Sequence, residues 1–428
     1  MKQREQPQAP CLTDVEPDRI SSLPGNLIDQ ILSHLSIREA VRTSVLSSKW
    51  RYKWATLPNL VFDKECLSVS SQDHSIIKNK LVRIVDHVLL LHTGSISKFK
   101  LSHHDLIGVT DIDRWTLHLS RRSIKEFVLE VWKGQRYKIP SCLFSCRSLI
   151  HLELFNCWLN PPSFFQGFRN LKSLDLQHVT LAQDVFEKLI SSCPLLERLT
   201  LMNFDGFAYL KIDAPNLQFF DIGGKFEDIS FESRFRLAVI SIELYVDIEN
   251  DQSRLHGRSS NLLRFFVHLP HVRRLEVQSY FLKYLALGIV PPKLPRPCID
   301  LSYLSVRINF NDLKEISAAL CLLRSSPNLQ EPEILARPEE MITVGAHANF
   351  WEDDYWSCPV MPLRFVGIDG IVGMKPELDF INVLLVYSPV LERLTVKPAC
   401  VNGGLELTKQ VLRLKRASAQ AEIIYLNP

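Results

Sequence analysis

The 428-residue chain has no apolar run that approaches the length of a membrane span; INVLLVYSPV, from 381, is interrupted by polar residues and a proline. Its start, MKQREQPQAPCLTDVEPD, lacks the apolar core of a signal peptide, and residues 1–16 read as a flexible polar tail. The ten cysteines are scattered. Cys142 and Cys146 are the only close pair, and no second pair or His-x-x-x-His completes a zinc site. With no secretory leader they read as reduced core thiols. Nor is there a strong charge of one sign. Fifty Lys and Arg against 47 Asp and Glu give a formal net charge of +3, which excludes a whole-molecule field for nucleic acid. The expectation is a soluble intracellular protein of the nucleus and/or cytoplasm, with neither membrane nor nucleic acid as a partner.

Catalytic signatures are missing as well. There is no P-loop and no G-x-S-x-G elbow. Gly367, Gly370 and Gly373 form a GxxGxxG, which is not the dinucleotide pattern and falls at an expected strand-to-helix turn. HHD at 103 offers fewer ligands than the three or four a metal site needs, and reads as a polar loop. WEDDYW at 351 has two readings, a grip on a basic peptide or a loop tied down by burial of Trp351 and Trp356; the second is favoured because buried Trp is ordinary packing. RLKRAS near the end is a short basic turn of helix. No catalytic residue, metal ligand or cofactor-binding residue is expected, and no cofactor.

What is present starts with a dense aliphatic cluster, LPGNLIDQILSHL, from Leu23 to Leu35. Leu27, Ile28, Ile31, Leu32 and Leu35 recur at steps of one, three and four, a wide apolar stripe on a helix. Pro24 suits the first turn. A second short helix opens at Ser36 with Glu39 three residues on, the pattern of a capping box, and carries Ala40, Val41 and Val45, with Leu46 after them. A third is expected from SSKWRYKW, with Trp50 and Trp54 one turn apart on one face. Such a unit is about 40 residues, near the limit at which a chain holds a core without help. Its stripe either packs on the rest of the chain or forms a docking face for another protein.

The stretch DRISSLPGNLIDQILSHLSIREAVRTSVLSSKWRYKWATLPNLVFD resembles an F-box of the form common in plants; the match covers Leu23-Pro24, Ile31-Leu32-Ser33, Leu35, AVRTSVLSSKW and Trp54. Ser36 stands where many relatives have Pro, and serine also starts a helix well. The resemblance implies docking on the SKP-type adaptor of a cullin-RING ubiquitin ligase. The residues it assigns to that contact are Leu23, Pro24, Leu27, Ile28, Ile31, Leu32, Leu35, Val45, Leu46, Trp50 and Trp54.

Further along, a cadence of apolar-x-x-apolar-x-apolar recurs: ISKFKL at 96, IKEFVL at 124, LIHLEL at 149, LKSLDL at 171, LERLTL at 196, LQFFDI at 217, LAVISI at 237, VRRLEV at 272 and LSYLSV at 301. The early steps run from 20 to 28 residues, the period of a solenoid. Alternation at the end of each hexamer predicts strands, and LAQDVFEKLISSCP between them has the pattern of a helix. A single unit of this kind cannot bury its own apolar edge, so the units must stack. The sequence resembles a leucine-rich repeat. The usual Asn or Cys three residues beyond the last leucine occurs once, as Cys157, which predicts irregular turns.

In that geometry the leucines point inward and the residues between them stand on an exposed strand face. Client-binding candidates there are Glu130, His151, Glu153, Asp175, Arg198, Phe219, Asp221, Arg274 and Arg307. A charge gradient is expected, with Glu126, Glu130 and Glu153 toward one end and Arg274 and Arg307 toward the other.

Three later segments echo one another, SCPLLERLTL at 192, SSPNLQEPEI at 325 and YSPVLERLTV at 387, each after a helix-like stretch. They define a reused helix, Ser-Pro and strand unit. Pro332 in the middle copy is expected to end or edge the sheet. MPLRFVGIDGIVGMKPELDFINVLLVYSPVLERLTVKP and the tail KQVLRLKRASAQAEIIYLNP resemble the FBD module that follows F-box and leucine-rich repeats in plants.

The expected class is α/β: a flexible tail at 1–16, a three-helix F-box at 17–62, an irregular leucine-rich-repeat solenoid of parallel strands and helices at 63–335, and an FBD unit at 336–428. The family resemblance implies a non-catalytic substrate-recognition subunit of an SCF-type ubiquitin ligase, bound through its SKP-type adaptor to a cullin and holding an unidentified client protein. The alternative is a leucine-rich-repeat scaffold that binds partners without ubiquitin ligase assembly.

Overall fold

The structure, a computed structural model, describes residues 19–66, 74–104, 110–232, 236–245, 260–269, 271–337, 360–400 and 404–427. The expected tail, the WEDDYW segment and Asp105 of HHD lie outside the described residues.

Helix α1 (Gly25–Ser33) follows Pro24, and α2 (Ile37–Arg42) follows Ser36. The capping box forms: Glu39 N–H donates to Ser36 Oγ at 3.3 Å and Ser36 N–H donates to Glu39 Oε2 at 3.1 Å. The bonds from Ser36 hold the Glu39 carboxyl below its ordinary pKa. The expected third helix is instead a run of turns leading to a short 3-10 helix, Lys53–Thr56. Here side chains bind the backbone of the first turn: Trp50 Nε1 donates to Ile20 O at 3.2 Å, and Lys49 Nζ donates to Leu23 O. Trp50 and Trp54 are both buried. Core burial of the two rings, rather than helical propensity, sets the path of this segment.

Strand β1 (Asn59–Phe62) starts three residues after the end of that 3-10 helix. Helix α3 (His74–Leu91) then leads to β2 (Lys98–His103). Helix α4 (Asp111–Ser120) precedes β3 (Glu126–Val131). Next come β4 (Tyr137–Lys138), β5 (His151–Phe155), β6 (Cys157–Trp158) and β7 (Ser173–Gln177). Helix α5 (Gln183–Ser191) leads to β8 (Arg198–Met202), followed by β9 (Tyr209–Ile212), β10 (Phe219–Gly224), β11 (Asp228–Phe231) and β12 (Val239–Leu244). Then α6 (Asn261–Phe266), β13 (Arg274–Ser279), α7 (Phe281–Leu285) and β14 (Tyr303–Ile308) alternate. The rest is α8 (Leu313–Arg324), β15 (Glu331–Ala336), β16 (Phe365–Ile371), α9 (Lys375–Tyr387), β17 (Arg393–Pro398), α10 (Gly404–Leu412) and β18 (Glu422–Tyr425).

Fourteen of these strands form one sheet in chain order, β1-β2-β3-β5-β7-β8-β10-β12-β13-β14-β15-β16-β17-β18. Neighbours pair in parallel and in register, as in Glu153↔Asp175, Asp175↔Thr200 and Thr200↔Asp221. The strands β4 and β6, and β9 and β11, make two small separate ladders that the hexamer pattern did not reveal. All nine hexamers coincide with sheet strands, and their leucine positions are buried: Leu152, Leu174, Leu199, Phe220, Ile240, Leu275 and Leu304 form one inward row. Burying a side chain of this size is worth about 1.5–3 kcal/mol.

Two expectations are corrected. Pro332 does not end or edge the sheet: it lies within β15, opposite Leu304 of β14, and β16 runs along the other side. Gln330 O accepts from Arg364 and Phe365 N–H at 3.0 Å before the proline, and the paired register with β16 runs from Glu333↔Gly367 after it, so the missing N–H leaves a local gap between bonded positions. The turns are also more regular than the missing Asn or Cys implied. Asn156, His178 and Asn203, each just after its strand, share a left-handed backbone with φ between 52° and 58°. Their N–H groups extend the ladder by one bond each: Asn156 to Gln177 O at 2.9 Å, His178 to Met202 O at 2.7 Å and Asn203 to Gly223 O at 2.7 Å. Asn and His are among the residues that adopt this conformation most readily. The helix, Ser-Pro and strand unit occurs as expected, joining α5 to β8, α8 to β15 and α9 to β17. Strand β15 spans positions 335 and 336, and β16 to β18 continue the same ladder.

Inside the later repeats, Arg337 Nη2 meets the fully buried Glu315 Oε1 at 2.6 Å. Arg337 Nη1 also donates to Ser279 O at 2.6 Å, and the guanidinium lies 4.5 Å from the centre of the Tyr280 ring. One side chain thus joins α8 and the end of β13 to the residue after β15. Burial pushes the Glu315 carboxyl up to about 7, while Arg337 acts in the opposite direction. Arg337→Ala should cost about 3–5 kcal/mol by leaving that carboxyl unpaired. A raised acid binds its proton more tightly folded than unfolded, so stability falls as pH rises between the two pKa values. The Arg337→Ala deficit in thermal melts should therefore be larger at pH 8 than at pH 5.5.

The strand register yields a second expectation. Leu199→Asp and Leu394→Asp place a charge at fully buried positions and should each destabilise by more than about 4 kcal/mol. Arg198 and Arg393, one residue earlier and exposed, should tolerate Ala within about 0.5 kcal/mol in the same melts.

Candidate functional site

Two surfaces bring together the residues singled out by sequence. The first is the N-terminal helical module. Ile28 and Leu32 of α1 are fully buried, and Trp50 and Trp54 are buried beside them, so these four serve the core of the chain itself. Leu23 and Leu35 are half-buried against the same core. The remaining apolar residues face solvent: Leu27 and Ile31 are each 41% exposed, Leu46 is 47% and Val45 is 87% exposed, and Pro24 is exposed. Leu27 and Ile31 sit one helical turn apart, beside the buried face. Ile20 and Tyr52, also exposed, extend the apolar surface and were missed because neither belongs to a periodic stripe.

This module is fastened to the first strands. Thr93 N–H donates to Ala55 O at 2.9 Å, Ser97 N–H to Pro58 O at 2.7 Å, and the buried His92 Nε2 lies 2.8 Å from Leu57 O. A Cβ on Gly94 would stand 3.0 Å from the Thr56 backbone, so glycine lets the two chains approach closely here.

The second surface is the open face of the sheet, where Glu130, His151, Glu153, Asp175, Arg198, Phe219, Asp221, Arg274 and Arg307 all stand, partly exposed. The expected charge gradient is largely cancelled locally. Lys98 Nζ meets Glu126 at 2.9 Å, Lys100 Nζ meets Glu130 at 3.0 Å, and Arg274 meets Glu276 at 2.8 Å. Glu130 also accepts from Ser102 Oγ at 2.6 Å and from Trp132 Nε1 at 3.1 Å. Arg274 lies 3.9 Å from the centre of the Tyr303 ring, and Arg198 lies 4.0 Å from that of Phe219. Arg307 Nε is buried without a hydrogen-bond partner. His151 Nε2 is 3.5 Å from Glu153, and this contact holds the Glu153 carboxyl below its ordinary pKa. Asp175 accepts from the Gln177 amide at 3.0 Å, and Asp221 is hydrogen-bonded to Ser241; burial pushes both carboxyls up.

An aromatic ribbon at the strand ends was not foreseen. His104, Trp132, Phe155 and His178 follow one another with ring centres 4.9, 4.6 and 4.9 Å apart. Their signal was available: Trp132, Phe155 and His178 come one to three residues after their hexamers.

Burial pushes the thiols of Cys66, Cys193 and Cys321 up to about 11. Among the described residues no group of three His, Cys, Asp or Glu is placed to hold a metal, and no helix is long and apolar enough to cross a membrane.

Together these features define a leucine-rich-repeat solenoid with a small helical module at its first strand. The F-box domain model matches residues 20–62, and the model described as "FBD-associated F-box protein At5g56370, LRR repeats" matches residues 112–334. The Arabidopsis thaliana F-box/FBD/LRR-repeat protein At1g13570 is 41% identical over 415 residues, covering 96% of this chain and 99% of the relative. The Arabidopsis FBD-associated F-box protein At5g22730 is 26% identical over 464 residues, covering 95% and 94%, and F-box/FBD/LRR-repeat protein At1g51370 is 29% identical over 412, covering 89% of each. The chain belongs to the F-box/FBD/LRR-repeat family of plants. Proteins of this kind are in general non-catalytic adaptors.

Proposed function

We propose that the protein is the substrate-recognition subunit of an SCF-type ubiquitin ligase. Its F-box docks on an SKP-type adaptor, and through it a cullin, while the open strand face holds a client protein. The observation that carries this reading is the division of α1. One side of the stripe, Ile28 and Leu32, is fully used in the core, yet Leu27 and Ile31 on its flank remain exposed, within a segment that matches the F-box. Exposed aliphatic side chains grouped on a small helical module are the mark of an interface. The protein performs no bond chemistry in this scheme. It places client lysines near a ubiquitin-charged enzyme, and its contribution is effective concentration.

Ile31→Asp, and separately Leu23→Ala with Pro24→Ala, should abolish co-purification of the adaptor. Ile31→Asp should leave the melting temperature within a few degrees, since its side chain already faces water and an exposed change is worth about 0.5 kcal/mol or less. Ile28→Asp should instead unfold the module. Undiminished adaptor binding by folded Ile31→Asp would overturn the docking assignment.

A further inference from the structure

We propose that the middle of the open face, from β5 to β12, grips a lysine- or arginine-bearing segment of the client. The inference rests on the client-binding reading above and adds the chemistry of what is bound.

The register places Glu153, Asp175, Thr200, Asp221 and Ser241 in one continuous row across five strands, without a cation among them. Glu243 stands on the same face one row away, hydrogen-bonded to Ser279. The nearest guanidinium groups in these strands and the next are already placed, Arg198 over Phe219 and Arg274 on Glu276. Two other carboxylates of the repeats, Glu130 and the fully buried Glu315, are met by cations of the chain, Lys100 and Arg337. Among the described residues the hydrogen bonds to Asp175 and Asp221 come from neutral groups, the Gln177 amide and the Ser241 hydroxyl. An asparagine would accept the same bonds without the desolvation that burial imposes on a carboxylate. The fold therefore does not require these charges, and a cation from outside the chain would use them.

The aromatic ribbon is an independent feature with the same preference. Phe155 stands two residues beyond Glu153, in the next row of the same face, and packs against the exposed Trp132 with its ring tilted by 34°. Phe219 stands two residues before Asp221. Lysine and arginine combine a charged head with an apolar stem, and they bind best where a carboxylate adjoins a flat ring. Arg198 over Phe219 shows such a seat occupied from within the chain. A polyanionic segment is disfavoured by the same row of acids.

The test uses the full chain purified with its adaptor and an array of 15-residue peptides carrying zero to six Lys or Arg among Gly, Ser and Leu, with Glu-substituted counterparts. Binding should rise with Lys and Arg content, be absent for the Glu series and weaken from roughly 50 to 300 mM salt. Asp175→Asn with Asp221→Asn should weaken the strongest peptide by about tenfold or more without lowering the melting temperature. Glu126→Gln with Glu392→Gln makes the same change in net charge at acids already paired with Lys98 and Arg364, and should leave affinity within about twofold. Phe155→Ala should also weaken binding. No preference for basic peptides, or equal weakening by the two double variants, overturns the inference. Adaptor co-purification is read from the same samples. Adaptor bound with no basic preference sinks this inference alone, whereas basic peptides bound with the adaptor lost sinks the ligase reading.

Discussion

Leu199 is fully buried because Leu174 lies beside it on one neighbouring strand and Phe220 on the other. That contact, repeated strand by strand, is the constraint from which the rest of the fold follows. A short strand with one apolar edge has no stable existence alone. The parallel ladder gives each inward residue a neighbour at the same level, and the helices between strands close the other side. Outward residues are then held at fixed intervals on a supported surface. The open face is a by-product of burying the leucines, and its side chains are positioned before any partner arrives.

The first and later strands meet this constraint in different ways. At the N-terminal end α2 contacts β1, and backbone hydrogen bonds join residues 55–58 to 93–98, so the F-box and the sheet share one hydrophobic core. Near β13 to β15 a buried ion pair supplements the leucines, with Glu315 also accepting from Asn309 N–H at 3.0 Å. A buried pair of this kind contributes little net stability but specifies one arrangement, because any other leaves a carboxylate without its cation. At the far end, β18 is four residues long, a short edge that offers little backbone to a second sheet.

Much of this was legible in the sequence because the leucine pattern records burial directly. Period-two alternation in nine hexamers located nine strands, and Ser36 with Glu39 located a helix start that forms as expected. Features set by neighbours far along the chain were harder to read. Trp50 and Trp54 suggested a helix by spacing, but the route there is set by burial of both rings, with bonds from Trp50 and Lys49 to Ile20 and Leu23. Pro332 suggested an edge, and only the bonds to β16 on either side of it show that it sits inside a sheet. The charge pattern was misread for the same reason. Glu126 and Lys98 are 28 positions apart in sequence and directly opposite in register, so the neutralisation becomes visible once the strands are aligned. The solvent-facing side of α1 could not be separated from its core side by periodicity alone, since both are aliphatic.

The unbroken ladder also fixes a length. Parallel strands repeat at about 4.8 Å, so β7 and β10 stand roughly 20 and 30 Å from β1 along the sheet. The sheet hydrogen-bonds through every intervening strand, and the F-box is bonded to its first, so this spacing does not depend on a linker. A partner held at one end and a polypeptide held in the middle would meet at a separation counted in strands. Loops between strands can lengthen or shorten without altering it, whereas the gain or loss of one whole repeat would move the grip by a single 4.8 Å step.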